Sequence, residues 1–116
     1  MNIVKVTNGK VELRKDSGSI IRTIVSSGAV DADINNDGSL ILVTTANGKV
    51  ELRKESGSIV RTIVSTNAKN AKFSGTEILV NLTNGKTELR KESGSLIRTL
   101  LIIITTIPLK TCQVDL

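Results

Sequence analysis

The chain has 116 residues, which fits one domain, and its 16 Lys and Arg residues exceed its 11 Asp and Glu residues to give a net charge of +5. It contains no His, no Trp, no Tyr, one Phe and one cysteine, which excludes an internal disulfide and the histidine-dependent nucleophiles of many hydrolases. The core must therefore come from Ile, Val, Leu and Ala, which are mostly strand-forming or small residues.

The N-terminal part of the chain alternates short apolar segments with strong turn signals. The Asn-Gly turn is the strongest, because both residues tolerate positive φ. The predicted turns are Asn8-Gly9, Asp16–Ser19, Ser26–Gly28 and Asn35–Gly38. Between them we predict strands at Ile3–Val6, Val11–Lys15, Ile20–Val25 and Ala29–Ile34. On the second strand Val11 and Leu13 share one face, and Glu12 and Arg14 share the other.

The same cycle of strands and turns continues along the rest of the chain. Further strands are predicted at Leu40–Thr44, Val50–Lys54, Ile59–Val64, Ala68–Phe73, Ile78–Leu82, Thr87–Lys91 and Leu96–Ile102. No long segment free of glycine has the helical period of 3.6 residues, so essentially no helix is expected. The pattern therefore predicts an all-β protein.

A phrase of sixteen residues occurs three times, and eleven of its sixteen columns are identical in all three copies. The copies are Gly9–Ile24, Gly48–Ile63 and Gly85–Leu100, and they start 39 and then 37 residues apart. Four strands in a unit of about 38 residues are typical of a β-propeller blade, whereas leucine-rich and hexapeptide solenoids have much shorter periods.

The order of parts in the second unit carries a family resemblance. Ala32–Val43, with its Asp37-Gly38 turn, resembles the inner strand, turn and second strand of the WD-repeat β-propellers. Gly48–Leu52, Ser56-Gly57 and Arg61–Ile63 resemble their third strand, hairpin and outer strand. The resemblance covers roughly residues 1–101 and implies four-stranded antiparallel blades. An Arg-Lys pair stands in each copy where the family has Trp-Asp, and the family's Gly-His dipeptide is missing.

The strand count predicts about three blades in a single domain, residues 1–116. The blade repeats are approximately 1–25, 29–64 and 68–102, and 103–116 form a C-terminal tail. The first blade lacks its inner strand. Because closed propellers typically have four to eight blades, two apolar faces would stay uncovered. We expect the ring to close by self-association, with a homodimer of six blades favoured. Another oligomer, or a chain that is part of a longer propeller, is the alternative.

The C-terminal residues are the expected oligomer interface. We hypothesise that the tail supplies the inner strand that the first blade of the partner chain lacks. The alternative is that the tail extends the last outer strand. An unpaired apolar run in this region would favour aggregation, so something should cover it. The expected interface residues are Leu100, Leu101, Ile102, Leu109, Val114 and Leu116.

The charged residues that recur in each unit are the candidate binding site. In a ring they would form basic bands able to bind phosphate or carboxylate. The favoured alternative is local pairing, because a glutamate lies two residues before each strand arginine, on the same face. Nucleic acid is a less favoured partner, because single-strand binding usually needs aromatic platforms. The candidate anion-binding residues are Arg14, Lys15, Arg53, Lys54, Arg90 and Lys91.

Other chemistry has little support in the sequence. Asp33–Gly38 matches the start of a calcium loop, but Thr44 stands where the loop requires glutamate, so a plain Asp-Gly turn is favoured. Cys112 has no activating residue near it in sequence. We therefore predict no cofactor, no metal site and no enzymatic activity.

We expect a non-catalytic structural or interaction scaffold, with an unknown protein partner. The alternative functions are binding of an anionic ligand or nucleic acid, and a recently amplified repeat array without a specific site. The lone cysteine fits a reducing compartment, and the N-terminal residues lack the pattern of a signal peptide, so a cytoplasmic location is expected. The apolar run Leu100–Ile104 is too short to span a bilayer.

Overall fold

The computed structural model describes residues 2–101, which form eleven strands and no helix. In this range no helix is long and apolar enough to cross a membrane. Every predicted strand is present with ends that agree within one residue, although the predicted end of the last one, Ile102, lies outside the described residues. The strands are β1 (Asn2–Thr7), β2 (Lys10–Lys15), β3 (Ile20–Val25), β4 (Ala29–Ile34), β5 (Leu40–Thr45), β6 (Val50–Lys54), β7 (Ile59–Val64), β8 (Ala68–Ser74), β9 (Glu77–Leu82), β10 (Lys86–Lys91) and β11 (Leu96–Leu101).

The strands form three antiparallel sheets in which chain neighbours are also neighbours in space. The first sheet contains β1 to β3, the second β4 to β7, and the third β8 to β11. The tight turn from β1 to β2 uses Asn8 and Gly9 at φ values of 51° and 81°, the left-handed region that Asn and Gly tolerate. In the described part of the chain β1 pairs only with β2, whereas β5 and β9 are paired on both sides.

The three sheets stack face to face and bury two apolar layers. The layer between the first and second sheets contains Val11, Leu13, Ile24, Ala29, Ile41 and Val43. The layer between the second and third sheets contains Leu42, Val50, Leu52, Ile63, Ala68, Ala71, Ile78 and Val80. Successive residues of β5 point into opposite layers, and the second sheet is therefore buried on both faces.

Backbone hydrogen bonds tie each sheet to the next at equivalent positions. The Ala29 nitrogen donates to the Gly9 carbonyl at 3.0 Å, and the Ala68 nitrogen donates to the Gly48 carbonyl at 3.0 Å. These two bonds join residues in the same place of the repeat, so the second sheet meets the first as the third sheet meets the second.

Candidate interaction site

A buried glutamate lies between two cations on the middle strand of the repeat. In the second sheet Glu51 accepts from Arg53 Nε at 3.0 Å and Nη2 at 2.8 Å, and its other oxygen lies 3.1 Å from Lys49 Nζ. The three side chains share one face because they are two residues apart on a strand. The first sheet repeats the arrangement in full, and Arg90 pairs with Glu88 in the third. The local pairing favoured from the sequence is thus present in every copy.

The same arginine also reaches backbone carbonyls outside its strand. Arg53 Nη1 donates to the Gly57 carbonyl of its own hairpin at 2.7 Å and to the Ile24 carbonyl of the first sheet at 3.5 Å. Arg90 Nη1 likewise donates to Gly94 at 2.7 Å and to Ile63 of the second sheet at 3.4 Å. The planar guanidinium presents several donors at once. It therefore joins a glutamate, a hairpin and the neighbouring sheet.

These contacts shift the titration of the glutamates. The hydrogen bond from Arg14 and the one from Lys10 hold the pKa of Glu12 below its ordinary value of 4.5. Burial acts to raise the pKa of Glu51, but the hydrogen bonds from Arg53 and Lys49 outweigh it, and the pKa is lowered. Both carboxylates are therefore kept ionised in the folded chain.

The predicted anion-binding residues fall into two groups. The arginine side chains at 14, 53 and 90 are 25%, 16% and 21% exposed, and each donates to a glutamate and to backbone carbonyls. The lysines that follow them, Lys15, Lys54 and Lys91, are exposed. Anion binding stays a prediction that rests mainly on these lysines.

The two end faces of the stack expose residues that are buried elsewhere in the repeat. Leu100, on the third sheet, is 42% exposed, whereas Ile24 and Ile63 at the same position are 7% and 4% exposed. Ile3, on the first sheet, is 42% exposed, whereas its counterparts Ile41 and Ile78 are fully buried. The register identifies these counterparts, because each of the three isoleucines pairs with the strand arginine. At these two positions the end faces repeat residues that pack inside the chain.

Only part of the predicted oligomer interface can be located. Leu100 and Leu101 belong to β11, and Ile102, Leu109, Val114 and Leu116 lie outside the described residues. The prediction does not include three further residues on the end faces. Each of them aligns with a buried residue of another copy. They are Ile3, Leu79 and Leu89.

The Asp-Gly turn between β4 and β5 is closed by its own hydrogen bonds. Asp37 accepts from the hydroxyl and the backbone nitrogen of Ser39 at 2.6 and 3.0 Å, and the hydroxyl bond lowers the pKa of Asp37. Asn35 Oδ1 accepts from the Leu40 nitrogen at 3.1 Å, and Asp33 accepts from the Phe73 nitrogen at 2.8 Å. The oxygens of the calcium-like motif therefore hold the turn and the neighbouring strand.

Similar folds are found among solved protein structures. No protein-family model and no curated protein matches the sequence. Among solved structures, BamB from Moraxella catarrhalis matches 90% of this chain with a TM-score of 0.68 and 16% identity. Sqt1 from Saccharomyces cerevisiae matches 81% of it with a TM-score of 0.62 and 14% identity. The dihydro-heme d1 dehydrogenase NirN matches 85% of it with a TM-score of 0.58 and 21% identity.

All three of these proteins are β-propellers. The chain has a β-propeller-like fold. It spans 33% of the BamB chain, 28% of the Sqt1 chain and 23% of the NirN chain. At these identities the likeness shows the fold, and the propeller-like fold predicted from the repeat is confirmed.

Proposed function

We propose that the protein is a non-catalytic structural or interaction scaffold that completes a propeller ring by binding a second copy of itself. In this proposal the three sheets are three blades, and two chains make a ring of six, within the four to eight blades of closed propellers. The observation that carries it is the exposure of Ile3 and Leu100 at 42% each, at positions that are buried in the other copies.

Two large apolar side chains of the end faces, Ile3 and Leu100, are partly open to water. Burial of apolar surface stabilises by about 25 cal/mol per Å², so covering these side chains would favour association. A two-fold ring would cover both faces at once, because each copy offers one face of each kind. Propellers are frequent interaction platforms, so the completed ring would offer a surface to a further protein partner.

The proposal is tested by matched charge insertions on β11. Leu100→Lys places a cation on the open face and should abolish self-association in sedimentation equilibrium. Leu96→Lys is the control, because Leu96 is 49% exposed and its counterparts Ile20 and Ile59 are exposed as well, at 55% and 53%. It should leave self-association unchanged. If both variants associate like the original chain, the open face is not the contact.

A second candidate function is the binding of an anionic ligand. It is favoured by the exposed lysines 15, 54 and 91, which recur once in each sheet, and by the net charge of +5. Replacing all three lysines with glutamine should then weaken retention on a heparin column, and retention by the original chain should fall steeply with salt. Retention that is equal for the two proteins would remove this candidate.

A further inference from the structure

The arginine contact between sheets is complete in the second and third copies of the repeat and incomplete in the first. Arg53 donates to the Ile24 carbonyl, and Arg90 donates to the Ile63 carbonyl. Arg14 makes the same bonds to Glu12 and to the Gly18 carbonyl at 2.8 Å, but its sheet is the first, with no preceding sheet in the described part of the chain. By position in the repeat, the residue that corresponds to Ile24 and Ile63 is Leu100, on the opposite end face. Leu100 pairs directly with Thr87, whereas Ile24 and Ile63 lie at a register shift between their strands.

The first sheet also departs from the repeat at one apolar position. Val43 and Val80 are fully buried, and each pairs across the strands with the repeated glutamate. The residue that pairs with the glutamate of the first sheet is Lys5, which is exposed. A cation therefore replaces a valine on the face that no other sheet within residues 2–101 covers.

The third sheet departs from the repeat at the matching position. Val11 and Val50 are fully buried, and the third copy has Thr87 in their place. Thr87 Oγ1 donates to Asn81 Oδ1 at 2.6 Å, and Asn81 Nδ2 donates to Asn70 Oδ1 at 2.7 Å. Thr87, which is itself only 6% exposed, thus belongs to a short row of polar groups on this face of the third sheet, and their oxygens have further capacity to accept hydrogen bonds.

The two positions at which Lys5 and Thr87 replace valine lie on opposite sides of the same layer between sheets. Val11 and Val43 belong to the same buried layer between the first and second sheets. Val50 and Val80 belong to the same layer between the second and third sheets. A third interface of this kind, made by the end faces, would bring Lys5 to the place of Val43 and Thr87 to the place of Val11. Inside the chain valines of two sheets share one apolar layer, and between chains a cation would lie near polar oxygens.

We infer that the end faces bind each other in the register of the internal interfaces, with Arg14 of one copy donating to the Leu100 carbonyl of the second and Lys5 facing Thr87 and Asn81. This inference rests on the proposed self-association and specifies its geometry. The arginine supplies a repeated contact between sheets, as it does within the chain. The lysine and the threonine make the contact between chains different from the internal ones, since a lysine ammonium opposite a valine would lose hydrogen bonds to water without replacing them.

The test is a double-mutant cycle on Lys5 and Thr87, read as the dissociation constant from sedimentation equilibrium. Thr87→Val should weaken association about tenfold in the original chain, because the ammonium then meets an apolar group. In the Lys5→Val background the same change should strengthen association about tenfold, because it recreates the valine contact of the internal layers. This reversal of sign is specific to residues that touch. Thermal melts of each variant at low concentration report on folding separately.

A second variant keeps the inference testable if the valine substitutions disturb the fold. Arg14→Lys retains a charge beside Glu12 but loses the guanidinium fork that would reach the Leu100 carbonyl of the second copy, and it should weaken association about tenfold. Arg53→Lys is the matched control, since its contacts lie within one chain, and it should lower the melting temperature without changing the dissociation constant.

The outcomes separate the register from the self-association. Association that persists with the same effect of Thr87→Val in both backgrounds, or with no effect of Arg14→Lys, would overturn the register and leave the scaffold standing. An original chain that is monomeric at every concentration would overturn the self-association and the register together.

Discussion

Replacing the same residue of the repeat by alanine should affect stability in one copy and self-association in another. Ile63→Ala removes a side chain that is 4% exposed in the layer between the second and third sheets. The expected loss is about 3 kcal/mol of unfolding free energy, from the lost transfer term and the cavity left behind. This loss should be the same at every protein concentration, because the layer lies within one chain.

Leu100→Ala removes the corresponding side chain on the open face. Leu100 is 42% exposed. Covering this exposed part on assembly is worth roughly 1 kcal/mol if a fully buried leucine contributes about 2 to 3 kcal/mol. A two-fold ring contains two such contacts, so the dissociation constant should rise by a factor of about 30.

The assay for this pair is urea unfolding at several protein concentrations, combined with sedimentation equilibrium. The midpoint difference between Leu100→Ala and the original chain should grow as the concentration rises, and that of Ile63→Ala should stay constant. A difference for Leu100→Ala that is independent of concentration would show that this end face contributes nothing to association.

Four further changes of sequence or conditions test other contacts. Arg53→Ala should lower the unfolding free energy by about 2 to 3 kcal/mol in urea titration, because it leaves Glu51 buried without its main partner; an effect below about 0.5 kcal/mol would mean that the ion pair is structurally idle. The pKa of Glu51 is lowered from 4.5 in the folded chain, so its contribution to the free energy of unfolding is complete above pH 4.5 and is lost as the pH falls through the folded pKa. Acid titration by circular dichroism should therefore show falling stability below about pH 5. Arg53→Ala should flatten this dependence on pH. Gly48→Ala should destabilise more than Gly38→Ala in thermal melts, since both glycines have positive φ but only a Cβ at Gly48 would lie 2.6 Å from a backbone nitrogen; equal losses would show that the close approach is not limiting. Deletion of 109–116, which lie outside the described residues, should weaken self-association if the tail pairs with the free edge of β1, and an unchanged dissociation constant would exclude that pairing.

The sequence was sufficient to predict the strands and the turns between them. Asn8-Gly9 encodes a tight turn locally, and the alternation of Val11 and Leu13 with charged residues encodes a strand with two different faces. These signals depend only on neighbours in the chain, and the three copies repeat them. The number of strands in each sheet therefore followed from counting turns.

The contacts between sheets could not be predicted in the same way. Glu51 alternates with apolar residues as a solvent-facing residue would, yet it is 5% exposed, and so is Glu12 on the first sheet. Each carboxylate lies between a lysine and an arginine of its own strand. The bond from Arg53 to Ile24 joins residues 29 positions apart, and it depends on how two twisted sheets stack. Periodicity tells which residues share a face of a strand, but it does not tell which face a second sheet covers. The departures at Lys5 and Thr87 gain meaning only once that stacking is known.

Whether two chains associate is decided by the mass of the protein in solution. Sedimentation equilibrium over a wide range of concentrations should give a species of twice the chain mass of 12.4 kDa, in reversible exchange with the single chain. A folded protein that remains at 12.4 kDa up to high concentration would contradict the account, because both end faces would then be stable in water without a partner.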